Sequence, residues 1–119
     1  MRKLAFVALV LFAGPCLADA SMVGAWQCNM VSDYGDFTFE LTLNDDKTFI
    51  KKQDMFGETS IGVGKWSIEG GELVMNREKY TKNGKAKASS QEFRREIISV
   101  SGSALELKHE EITTSCTKA

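Results

Sequence analysis

Proline occurs once in 119 residues, at position 15, and histidine once, at position 109. A chain so poor in proline is not a polyproline linker or a low-complexity tail, and its ten glycines are scattered as turn punctuation rather than gathered in a repeat. The single histidine leaves little for imidazole chemistry: Glu110 and Glu111 follow His109 consecutively, a spacing that does not converge on a metal or a proton-transfer centre. No nucleophile has an adjacent base, and the paired carboxylates Asp45 and Asp46 fall in a turn signal. The chain therefore reads as a non-enzyme with no catalytic residues, no metal and no cofactor. Strong net charge is missing too, at −1 overall, and the most basic stretch, residues 77–95, holds only two aromatics, Tyr80 and Phe93, so no nucleic-acid partner is expected. The longest apolar run, residues 4–13, falls well short of the roughly 20 residues that cross a bilayer, and no transmembrane segment is expected.

That run has the make-up of an export signal. Arg2 and Lys3 precede it, and Ala18-Asp19-Ala20 offers small residues at both cleavage positions. Residues 1–20 are expected to be a signal peptide and residues 21–119 the mature domain, exported to a periplasm or outside the cell. Cleavage would discard Cys16 and leave Cys28 and Cys116 near the two ends of the mature chain, in an oxidising compartment. A disulfide between them is the default reading, and two buried free thiols the alternative. In the chain-entropy account such a bridge stabilises by on the order of 4 to 5 kcal/mol. The mature length suits one domain with one modest core.

Strand signals fill that domain. In "DFTFELTLN", Phe37, Phe39, Leu41 and Leu43 alternate with Thr38, Glu40 and Thr42, the period of a sheet with one buried face. "NDDK" turns the chain into "KTFIKKQ", and Glu69-Gly70-Gly71-Glu72 turns "TSIGVGKWSI" into "ELVMNREKY". Asn83-Gly84 marks a hairpin inside a longer exposed connection, and strands follow over residues 91–100, in "ALELKHE" and in "ITTSCTK". With "MVGAWQCNMV" as the first, these make eight strands joined by short turns and no helical period. An all-β, eight-stranded antiparallel up-and-down (meander) barrel is expected, because closure removes the edges that an open meander would expose. In such a barrel the first and last strands are antiparallel neighbours, so a Cys28–Cys116 bridge would staple the closing seam.

Gly24-Ala25-Trp26 at the start of the first strand, the "FTFELTLNDDKTFI" and "GKWSIEGGELVM" hairpins and the closing "LELKHEEITTSCTK" hairpin are similar to the lipocalin-like (calycin) domains of small secreted bacterial proteins. The likeness spans essentially the whole mature chain and rests on the order and spacing of the hairpins. It implies that Gly24 and Trp26 form a plug at the bottom of the barrel, glycine allowing the bend and the indole filling the end. Lipocalins often pack this tryptophan against an arginine near the last strand; here Lys108, His109 and Lys118 are the cations in that region.

The resemblance also implies a small apolar ligand in the cavity, for which Phe37, Phe39, Leu41, Met55, Phe56, Trp66 and Met75 are the candidate lining residues. Trp26, Leu43, Phe49, Ile68, Leu73, Phe93, Leu105 and Leu107 complete the candidate inward set. Gly62 and Gly64 leave one face of their strand bare, for a bend, a close backbone approach or ligand space. Seven basic residues, Arg77, Lys79, Lys82, Lys85, Lys87, Arg94 and Arg95, stand against Glu78 and Glu92 alone. They read as a solvated hairpin or as a patch for an acidic protein or an anionic surface. Two expectations follow for function. One is an exported binding protein whose barrel holds a small apolar or amphipathic ligand; the other is a filled barrel acting through its surface as a protein-interaction module, such as an inhibitor or an envelope accessory protein.

Overall fold

The computed structural model describes residues 20–87 and 90–119, so the expected signal peptide lies, but for Ala20, outside the described residues. Nine strands form among the described residues: β1 Gly24–Ser32, β2 Gly35–Leu43, β3 Thr48–Met55, β4 Glu58–Glu69, β5 Glu72–Lys82, β6 Lys85–Lys87, β7 Gln91–Val100, β8 Ala104–His109 and β9 Ile112–Lys118. Eight of them close an antiparallel barrel in the circuit β1-β2-β3-β4-β5-β7-β8-β9, which the pairing of β9 with β1 completes. The expected eight-stranded meander barrel is the observed architecture. The extra strand, β6, pairs only with the far end of β5. It lies in the stretch read as an exposed connection, and Asn83-Gly84 builds its hairpin, both residues taking positive φ.

Period-two alternation puts one face of each strand inside. On β2, Phe39, Leu41 and Leu43 are buried while Glu40 is exposed; on β1, Trp26 and Cys28 are buried between exposed neighbours. Cys28 and Cys116 are partners in the β1–β9 register, their Cα atoms 4.0 Å apart, and they form a disulfide that ties the seam from within. Each fully buried apolar side chain contributes roughly 1.5 to 3 kcal/mol, so the inner set is the main source of stability.

The packing differs along the barrel axis. At the end where β1 starts and β9 finishes, Met22, Trp26, Leu43, Trp66, Leu73 and Leu105 are buried and fill the lumen. The Trp26 indole N–H donates to the Met22 carbonyl at 2.8 Å, which meets the plug's need for an acceptor. Lys118 stands over the Trp26 ring, its Nζ 4.2 Å from the centroid, and donates to the Val23 carbonyl at 2.7 Å. Of Lys108, His109 and Lys118, it is Lys118 that packs on the tryptophan. Gly24 admits it: a Cβ at this position would lie 2.6 Å from Lys118 Nζ, and the backbone there, at φ +142°, suits glycine. Trp66 is held at the same end, donating to the Asn44 carbonyl at 3.0 Å beneath the Lys47 ammonium.

Two irregularities re-aim side chains. Between β4 and β5, Val63 faces Lys79 but Gly64 faces Arg77, leaving Glu78 as an extra residue. Between β7 and β8, Ile98 is extra in the same way. Bulges of this kind bend the strand and shift the inward phase by one residue.

Candidate functional site

The other half of the barrel is hollow. A cavity of about 220 Å³ lies between the sheet walls, and every strand of the closed circuit contributes to it. Its apolar walls come from Phe39 and Leu41 of β2, Phe49 of β3, Met75 of β5 and Leu107 of β8. Continuing the alternation one step from these residues brings polar ones inside. Phe49 is followed on its face by Lys51 and Gln53, Met75 by Arg77, and Phe93 by Arg95. Beyond Arg77 the β5 bulge changes the phase, so that Tyr80 rather than Lys79 lines the cavity.

The glycines of β4 have separate reasons. A Cβ on Gly64 would run into the Asn76 carbonyl oxygen, so this glycine permits the close approach of β4 to β5. A Cβ on Gly62 would lie 3.0 Å from Arg77 Cδ, so this one makes room for the arginine inside the barrel.

Three cations converge on one aromatic ring. Lys51 Nζ lies 5.7 Å from the Phe93 centroid, Arg77 Cζ 5.4 Å and Arg95 Cζ 5.9 Å. Lys51 also stands 4.6 Å over Phe39, and Arg77 4.4 Å over Tyr80. The ring faces partly offset the loss of water around these charges. Neutral acceptors fix the guanidiniums: Arg77 donates to Gln91 Oε1 at 3.1 Å and Arg95 to the Arg94 carbonyl at 2.8 Å. Burial, reinforced by repulsion from Arg95 and Arg77, pushes the Lys51 ammonium down to about 8, and burial also lowers Arg95. The Gln53 side-chain NH2 is buried with no hydrogen-bond partner among the described residues.

A second hollow of about 150 Å³ shares Gln53, Ser60 and Tyr80 with the first and adds Met55, Phe56, Glu58 and Lys82 at the β3–β4 turn. It marks the mouth. Phe56 is 87% exposed there, has a left-handed backbone at φ +54°, and meets the Phe37 ring edge-on at 6.5 Å.

Set against the sequence, the structure brings together Phe39, Leu41 and Met75 of the candidate cavity residues. Met55 and Phe56 stand at the mouth, Phe37 is half-buried against Phe56, and Trp66 belongs to the filled end, where it packs beneath Lys47. The basic tract is not one surface. Arg77 and Arg95 turn inward, because their positions share a face with Met75 and Phe93. Arg94 turns outward and is held by Glu92 at 2.9 Å and by Glu69 and Glu72 at 3.3 Å, while Lys82 pairs with Glu58 at 3.1 Å. Lys79, Lys85 and Lys87 remain exposed on the hairpin. His109 lies at a strand end beside Glu110, Nε2 to Oε1 3.7 Å.

Comparison with solved structures finds a lipocalin-like protein from Bacteroides uniformis, with a TM-score of 0.61 at 14% identity, over 83% of this chain and 99% of that one. The fold is lipocalin-like. Neither protein-family models nor curated proteins give a match. No helix among the described residues is long and apolar enough to cross a membrane.

Proposed function

We propose that the protein is an exported, non-enzymatic binding protein whose barrel holds one small amphipathic ligand in its open half. The half-hollow barrel carries this reading. A lumen filled only for stability would continue the tryptophans and leucines of the closed end, whereas here the packing stops and a cavity with apolar walls and a few polar groups begins. At about 220 Å³ the space falls below the roughly 300–1,000 Å³ of drug-sized sites, so the ligand is small or extends into the mouth at Met55 and Phe56. The disulfide fits an oxidising compartment and so supports export, with residues 1–20 as the signal peptide and residues 21–119 as the working domain.

Native mass spectrometry of protein purified from the exported fraction of its own host, followed by organic extraction, tests the proposal. A reproducible small molecule, released on denaturation, is the expected result. A clean unliganded mass in repeated preparations would refute it and leave the outer surface, with the Asn83-Gly84 hairpin, as the working face.

A further inference from the structure

The cavity is unbalanced in charge. Lys51, Arg77 and Arg95 enter it from β3, β5 and β7, and among the described residues that line it none is aspartate or glutamate. Their approach to the single Phe93 ring gathers the three charges in one place. A structural cluster of this kind would be expected to enclose a carboxylate, since like charges gathered in a half-buried space repel. The depressed proton affinity of Lys51 has that origin in part. Around the cations stand further donors, the buried Gln53 NH2 among them, while Phe39, Leu41, Phe49, Met75 and Leu107 offer only hydrocarbon.

Resting on the ligand-binding reading above, we propose that the ligand is a monoanionic amphiphile: a carboxylate or comparable oxyanion seated among Lys51, Arg77 and Arg95, with a short apolar chain against Phe39, Leu41, Phe49, Met75 and Leu107. The anion supplies the charge that the walls omit. Arginine offers it paired N–H donors and the lysine a point charge, the combination that suits a carboxylate end. Gly62 takes part by leaving the space that Arg77 occupies. The charged and titratable groups sharing the cavity with Lys51 are Arg77 and Tyr80 of β5 and Arg95 of β7; β2 and β4 contribute Phe39, Leu41, Ser60 and Gly62 to it. Lys51 is thus the group whose protonation tunes the site, and binding of an anion raises its proton affinity.

Calorimetric titration of the protein with four probes tests this: octanoate, octan-1-ol, octylammonium and acetate. Octanoate is expected to bind at least tenfold more tightly than octanol or acetate, with no octylammonium binding. Lys51→Met and Arg95→Met should each weaken octanoate about tenfold or more and leave octanol unchanged, with folding of both variants checked by circular dichroism. Wild-type affinity for octanoate should fall between pH 7 and pH 9.5, and that of Lys51→Met should not. Octanol or octylammonium binding as tightly as octanoate would overturn the anionic site and leave the ligand-binding barrel standing. Acetate matching octanoate would overturn the apolar half of the proposal. Failure of all four probes to bind would overturn the anionic site and the ligand-binding reading together.

Discussion

Replacing Lys51 by methionine should make the protein more stable, and the gain should depend on pH in a defined sense. The lysine gives up its proton near pH 8 in the fold, against 10.5 as its ordinary value, because burial and then Arg95 and Arg77 disfavour the charge. A tenfold change in proton affinity corresponds to about 1.4 kcal/mol, so holding the ammonium in the barrel at pH 7 costs on the order of 3 kcal/mol. The folded affinity is the lower one, so between pH 8 and pH 10.5 the unfolded chain binds more protons. Stability therefore rises with pH across that window, with about 2 kcal/mol of the penalty gone by pH 9.5. Methionine has similar length and no charge. It removes the penalty but also the contact with the Phe39 face, worth about 1 kcal/mol, leaving a net gain of roughly 2 kcal/mol at pH 7 that shrinks as pH increases. Urea denaturation of both proteins without ligand, at pH 7 and pH 9.5, measures the difference and cancels every other titrating group. A variant less stable than wild type at pH 7, or a difference that does not change with pH, would refute the reasoning.

Three further outcomes are expected. Converting Cys28 and Cys116 to serine releases the loop their bridge closes over 88 positions and should lower stability by about 4 kcal/mol in urea melts; non-reducing mass spectrometry of the wild type should find no alkylatable thiol in this pair. Gly64→Ala should destabilise by several kcal/mol, because its Cβ meets backbone at Asn76, whereas Gly62→Ala should be milder in thermal melts, since only the flexible Arg77 stem must shift. Phe56→Asn should leave stability unchanged or raise it by about 1 kcal/mol, as asparagine accepts the left-handed backbone and the ring is mostly exposed; a loss above 1 kcal/mol would show that the contact with Phe37 outweighs the strain.

Much of the fold was legible because alternation on "FTFELTL" and "LEL" is unbroken and two of the turns carry Gly70-Gly71 and Asn83-Gly84. The seam followed from the parity of the strands, since an even meander that closes makes the strands of Cys28 and Cys116 antiparallel neighbours; the register that sets the two cysteines opposite each other is seen in the structure. Half of the site was legible as well, and the other half was present in the pattern but masked by residue type. If Phe49, Met75 and Phe93 point inward, strict period two sends Lys51, Arg77 and Arg95 inward with them; positive charge in a basic stretch suggested solvent instead. Tyr80 could not be placed by alternation, because that requires the Glu78 bulge, and a bulge without its own glycine leaves little trace in one sequence. Phe37 and Trp66 satisfied the inward pattern, but periodicity gives the face of a strand and not the height along the barrel. Height decides whether an inward side chain meets a cavity, a plug or the mouth.

The division into a filled end and a hollow end makes the barrel a handle with an exchangeable head. Trp26, Trp66, Leu43, Leu73, Leu105 and the seam disulfide secure the fold at positions that do not line the cavity. Gln53, Ser60, Tyr80 and Gln91 line the space without belonging to that packed set. If the barrel holds a ligand as proposed, changes of size or polarity at these four positions would alter what it accepts while the closed end keeps it folded, so selectivity and foldability could vary separately in this chain.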